Sequence, residues 1–164
     1  SPYTPGGASS NSIRGLFFTP NLSNNSNVIN YITIATTGNA IDFGDMSGSV
    51  RALNGSCSSS TRGLFGGGYT ATPGATTNTI DYITISSTGD AIDFGDLTQA
   101  RSGCSGTSSA IRGVFGGGQT PTDVNTIDYV TIATTGNATR FATLSRTWTD
   151  DGALSDSHGG LGGF

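Results

Sequence analysis

The 164-residue chain is long enough to bury a sizeable core in one domain, yet only 11% of its residues are charged, against roughly 25% in ordinary globular proteins. Seven basic and eleven acidic residues give a net charge of −4 with no Lys/Arg cluster, which argues against nucleic acid as a partner. No run approaches the roughly 18 apolar residues of a membrane helix, and the start "SPYTPGGASSNS" has neither the regions of a signal peptide nor an initiator Met, which fits processing or a fragment of a longer chain.

Taken in order, residues 1–13 read as the end of a preceding unit, because "SSNSIRGLF" matches the later "TSSAIRGVF". Repeat 1, residues 14–61, opens on Arg14 with "RGLFFTP", crosses a loop from Phe18 to Val28, and continues as "INYITIATTGNAIDFGDM" from Ile29. Repeat 2, residues 62–111, opens on Arg62 with "RGLFGGG", crosses Gly67 to Asn78, and continues as "IDYITISSTGDAIDFGDL" from Ile80. Repeat 3, residues 112–158, opens on Arg112 with "RGVFGGG", crosses Gly117 to Asn125, and continues as "IDYVTIATTGNATRFATL" from Ile127. Residues 159–164 form the degenerate start of a fourth unit, with Gly159 where the Arg belongs. The pairs Tyr31/Phe43, Tyr82/Phe94 and Tyr129/Phe141 are each twelve residues apart, whereas Arg to Tyr is seventeen, twenty and seventeen. The segment behind the glycines therefore varies in length, as surface loops do.

Each "IDYITI"-type run is rich in β-branched and aromatic residues, and "TTGNA" or "STGDA" supplies the Gly and Asn/Asp of a tight turn before "IDF" resumes, which predicts a β-hairpin. No stretch of ten or more residues has helical spacing, so the chain reads as all-β. Ile80 and Tyr82 lie on one face of their strand and Ile83 and Ile85 on the other, so both faces need cover, as in radially stacked small sheets. About 48–50 residues and roughly four short strands per unit is the size of a β-propeller blade.

The repeat resembles the kelch motif of β-propellers. "LFGGG" at Leu64 and "VFGGG" at Val114 supply its glycine pair, Tyr82 and Tyr129 its Tyr, and Phe94/Leu97, with Phe43/Met46 and Phe141/Leu144, its aromatic and aliphatic pair, followed by "QARSG" around Arg101. Two features depart from the family: Phe stands where Trp is usual, and repeat 1 has "FFTP" in place of the glycines. The repeat text is closer still to the kelch-like repeats of tail-fibre and other appendage proteins of marine tailed bacteriophages. That resemblance implies a kelch-like β-propeller of about 3.5 units per chain, located in the virion or otherwise extracellular. It implies a non-enzymatic role in host-surface binding or fibre scaffolding, with other virion tail proteins and a host cell-surface glycan as partners. The rival reading is a glycan-binding propeller of a cellular surface or secreted protein. A kelch-type oxidase would need a copper-ligand set, and His158 is the one histidine. Since propellers close with about four to eight blades, the ring calls for a longer chain or for homo-oligomerisation, two copies giving about seven units; a trimer along a fibre axis is the alternative.

Among candidate sites, Gly66, Gly67, Gly116 and Gly117 resemble a phosphate loop, but a Thr/Pro-rich loop and a strand follow where a helix N-terminus and a Lys are required, so close backbone approach is the expectation. Arg14, Arg62 and Arg112 recur once per unit, which suits a structural bond between neighbours more than an anionic sugar. Asp42/Asp45 and Asp93/Asp96 read as turn caps, because repeat 3 has Arg140 and Thr143 instead. His158 reads as a turn residue, its rival a metal site on a three-fold axis, and no cofactor, metal or catalytic residue is expected. Cys57 and Cys104 lack zinc spacing and read as two buried thiols, with a disulfide left open. The binding candidates are loop residues Asn24, Tyr69, Thr70 and Gln119, offering stacking or hydrogen bonds to a sugar. Sequons at Asn21, Asn24, Asn54 and Asn137 are expected by chance in so Asn/Ser/Thr-rich a chain.

Overall fold

The computed structural model describes residues 6–18, 27–48, 51–52, 55–70, 74–149 and 152–153, and their regular structure is all strand. A first unit holds β1 (Ala8–Ser10), β2 (Arg14–Phe18), β3 (Val28–Thr33) and β4 (Ile41–Asp45), antiparallel in the order β1-β2-β3-β4. After β5 (Arg51–Ala52) comes a second unit of β6 (Gly55–Ser58), β7 (Arg62–Gly66), β8 (Tyr69–Thr70), β9 (Ala75–Thr76), β10 (Thr79–Thr84) and β11 (Ile92–Asp96). The third holds β12 (Ser105–Ser108), β13 (Arg112–Gly116), β14 (Gln119–Thr120), β15 (Thr122–Asp123), β16 (Thr126–Thr131) and β17 (Thr139–Thr143). Their four-stranded sheets run β6-β7-β10-β11 and β12-β13-β16-β17, with β5-β8-β9 and β14-β15 as small accessory ribbons. Each large sheet starts one strand ahead of the Arg that opens the sequence repeat, so Ala8–Ser10 pairs with β2.

Local chemistry explains the repetition. The turn into β2, β7 and β13 is closed by a polar side chain three residues before the Arg: Asn11 Oδ1 accepts from the Ile13 and Arg14 amides, and Ser59 and Ser109 Oγ accept from the matching pairs. A β-bulge interrupts each outer pair, since Ile80 faces Gly95 while Asp81 faces Asp93, and Phe94 is skipped. The same slip occurs at Phe43 and Phe141. It sets Tyr31, Tyr82 and Tyr129 edge-on to those rings at centroid separations of 5.9, 5.9 and 5.7 Å. Asp42 and Asp93 cap the bulge by accepting from the Gly44 and Gly95 amides.

The units pack face to face. Leu16, Phe18, Ile29, Phe43 and Met46 of the first sheet meet Phe65, Ile83 and Ile85 of the second. Leu64, Ile80, Phe94 and Leu97, with Cys57 and Cys104, meet Phe115, Val130 and Ile132 of the third. The middle sheet is thus apolar on both sides, and each buried large side chain contributes roughly 1.5–3 kcal/mol. First strands lie side by side and are stitched by serines: Ser56, Ser58 and Ser108 Oγ donate to the carbonyls of Ala8, Ser10 and Ser58. Only small residues fit there, and a Cβ at Gly106 would overlap the Ser56 carbonyl. Both cysteines are free and buried, and burial pushes the Cys57 thiol up to about 12.

Candidate functional site

The end of the sheets where β7 and β13 finish carries the variable loops. Gly67 and Gly68 have φ of +69° and +119°, and Gly117 and Gly118 have +68° and +102°, conformations that L side chains rarely adopt. Their amides are already engaged: Gly67 and Gly68 donate to the Thr79 and Arg101 carbonyls (3.0 and 2.8 Å), and Gly117 and Gly118 to those of Thr126 and Trp148 (3.0 and 2.7 Å). A Cβ on Gly67 would lie 2.5 Å from the Arg101 oxygen. Gly66 and Gly116, one residue earlier, pair within their sheets. These glycines bring the chain close to its neighbour and present no free row of amides to a phosphate.

Beyond them each loop folds back as a short ribbon. β8 pairs with β5 and β9, and Thr70 Oγ1 closes that hairpin on the Ala75 backbone. The Gln119 backbone exchanges two hydrogen bonds with Ser102 in the preceding link, at 3.1 and 2.8 Å. Tyr69 and Gln119 occupy equivalent places, one residue after the paired glycines, and both side chains are exposed at the same end of the molecule. A planar ring and a carboxamide on two short ribbons can stack on and hydrogen-bond a polar, uncharged ligand such as a sugar. Thr70 is engaged within its own loop, and Asn24 lies outside the described residues.

The repeat arginines sit at the opposite end of the sheets. Arg14, Arg62 and Arg112 lie 4.7, 4.6 and 5.0 Å above the rings of Tyr31, Tyr82 and Tyr129. Arg14 and Arg62 also donate to the Ile85 and Ile132 carbonyls of the following unit, at 2.7 and 2.9 Å. Their guanidinium groups are therefore committed to the framework. Among the described residues no three His, Cys, Asp or Glu side chains come together as a metal site, and His158 lies outside them.

Two features escape sequence reasoning. Arg101 and Asp128, both fully buried, form an ion pair at 3.0 Å between the second and third units. Asp128 also accepts from the Thr98 amide and hydroxyl, and Arg101 donates to the Phe115 carbonyl. The visible signal was an Arg in the link after Leu97 and an Asp before Tyr129. The second feature is a cavity of about 340 Å³ along the first strands, walled by small side chains of Ser9, Ser56, Ser58 and Thr107. Leu16, Phe17 and Cys57 line it beside the short hydroxyls and glycines, and among the described residues no charged side chain does.

No protein-family model and no curated protein matches the chain. Solved structures do resemble it in fold. One, described as the structure of YjhT, superposes with a TM-score of 0.69 at 8% identity, covering 88% of this chain and 52% of its own. The chain thus spans about half the length of that protein, and the likeness is one of fold.

Proposed function

We propose that the chain is a run of kelch-like β-propeller blades serving as a non-enzymatic module of a phage appendage, binding a host-surface glycan through the ribbon end of the blades or scaffolding the fibre. The observation that carries this reading is the division of labour within the repeat. Three sheets reuse the same turn caps, bulges and inter-unit bonds, while variation concentrates in the loops that hold Tyr69 and Gln119 at solvent. The phage assignment itself rests on the resemblance of the repeat text to appendage proteins.

The test is an array of host lipopolysaccharides and capsular glycans probed with the wild-type chain and with the Tyr69→Ala/Gln119→Ala variant. Receptor binding predicts hits that the double variant loses while its thermal unfolding stays unchanged. Pure scaffolding predicts no hit at all. Hits that survive the double substitution would remove the ribbon end as the site.

A further inference from the structure

The hairpins that join β10 to β11 and β16 to β17 have arms bound to two different sheets. Pairing within the hairpin ends where Tyr82 faces Ile92 and Tyr129 faces Thr139. Beyond that point the outgoing arm stays with its own unit, the Ile85 and Ile132 amides donating to the Thr61 and Ile111 carbonyls at 2.9 and 2.8 Å. The returning arm binds the outer strand of the preceding unit instead. The Gly89 and Ala91 amides donate to the Phe43 and Asp45 carbonyls of β4 at 2.8 and 2.7 Å, and the Gly136 and Ala138 amides to the Phe94 and Asp96 carbonyls of β11, both at 2.7 Å. In return the Asp45 and Asp96 amides donate to Asp90 and Asn137 Oδ1 at 3.0 and 3.1 Å. Each returning arm thus covers the open edge of its neighbour's sheet and is held away from its own.

Between the parted arms lies a cleft, of about 200 Å³ in the second unit and about 330 Å³ in the third. Each is lined by eight residues, and the two sets coincide position for position along the repeat. A half-buried tyrosine, Tyr82 or Tyr129, lines each cleft. Thr84, Ser87 and Thr88 line the first and Thr131, Thr134 and Thr135 the second; all six are exposed, and their hydroxyls bond no other described residue. Asp90 is the one charged lining residue, and Asn137 stands in its place in the third unit. An anion would find no counter-charge here and would meet the Asp90 carboxylate, while an apolar ligand would leave the hydroxyls without partners. A neutral ring that carries hydroxyls of its own matches both requirements. The volumes lie at or below the lower end of the roughly 300–1,000 Å³ of pockets for drug-sized ligands, which is room for one such ring.

We infer that each of the two clefts is a subsite for one neutral sugar ring, so that the second and third units present the same saccharide site twice. Both lie at the arginine end of the sheets, since Thr84 and Thr131 pair with Arg62 and Arg112, away from Tyr69 and Gln119. These subsites lie beyond the ribbon-end reading and stand or fall without it. In the first unit "TIATTGNAI" repeats the hairpin text, but among the described residues the Gly38 and Ala40 amides make no bond to another sheet. The tether that parts the arms is absent there, and two subsites rather than three are assigned. Two copies on one chain suit a polysaccharide with a repeating neutral sugar, whose second contact is intramolecular once the first is made.

The experiment is a proton–nitrogen correlation NMR titration of the 164-residue chain with the methyl glycosides of glucose, galactose, mannose and N-acetylglucosamine, and with methyl glucuronide as the anionic probe. At least one neutral glycoside should shift the amides of Thr88 to Asp90 and of Thr135 to Asn137 together. The glucuronide should bind the Asp90 cleft more weakly than the glucoside does. Ser87→Ala/Thr88→Ala and Thr134→Ala/Thr135→Ala should each weaken binding at their own cleft by at least about 10-fold and leave the other cleft unchanged, which also shows that the variant is folded. No shift at either cleft with any neutral glycoside, or shifts that both variants retain, overturns the subsites. Tighter binding of the glucuronide at the Asp90 cleft overturns the neutral assignment. Shifts confined to Tyr69 and Gln119 overturn the clefts and leave the ribbon-end reading standing. Cleft shifts that the Tyr69→Ala/Gln119→Ala variant retains support the clefts as sites in their own right.

Discussion

Replacing Arg101 by Met should be among the most damaging single changes in the chain, and the structure says how much of the damage belongs to its partner. Arg101 and Asp128 are both fully buried and 3.0 Å apart. Removing the guanidinium leaves the Asp128 carboxylate with the two Thr98 donors and no counter-charge. Breaking a buried pair in this way costs about 3–5 kcal/mol, or roughly 6–20 °C in melting temperature for a domain of this size. Among the described residues Arg101 Nε and Nη1 have no hydrogen-bond partner, so the pair is imperfectly solvated and an apolar replacement relieves part of its own burial cost. Arg101→Met/Asp128→Asn should therefore recover at least about half of the loss. Urea denaturation of the wild type, both single variants and the double variant closes the cycle. If the double variant is as unstable as Arg101→Met, or the cycle is additive, the charge argument fails and Arg101 acts only by filling space.

Further expectations follow from named contacts. Gly95→Ala should lose about 2–4 kcal/mol in urea denaturation, because φ is +144° and the new Cβ would lie 2.5 Å from the Gly136 carbonyl. Cys57 should resist alkylation at pH 8 in the folded state and react only on unfolding. Its raised thiol pKa also sets an alkaline limit. Below pH 9.0 both states keep the proton and stability is unaffected; between 9.0 and about 12 the unfolded chain releases it first, so stability falls as pH rises. Cys57→Ala should flatten part of that slope in denaturation curves taken at successive pH values. Arg62→Lys should lose roughly 1–2 kcal/mol by thermal unfolding, since a lysine cannot both lie flat on Tyr82 and reach the Ile132 carbonyl.

Strands with a strong local signal were readable in advance. β3, β10 and β16 combine β-branched residues with apolar side chains on both faces, and their turns carry Gly with Asn or Asp, so both the hairpins and the need for cover on two sides follow from residue type. β1, β6 and β12 were not readable, because "ASS", "GSCS" and "SGTS" have neither alternation nor β propensity. They are held by serine bonds to the neighbouring unit and by close approach at Gly106, which are properties of the assembled sheets. The bulge opposite Ile29, Ile80 and Ile127 was equally hidden, since one skipped residue leaves no mark in composition. At the ribbon end, loop-length variation pointed to Tyr69 and Gln119, whereas the internal role of Thr70 needed the hairpin geometry. The Arg101–Asp128 pair joins residues 27 positions apart across a junction, and only the packing of the two units identifies them as partners.

Circular dichroism of the Phe65→Asp variant tests the account most directly, because Phe65 is fully buried in the core that the first and second units share. Loss of the fold is the predicted result. A normally folded variant would contradict the packing of the units on the two faces of the middle sheet.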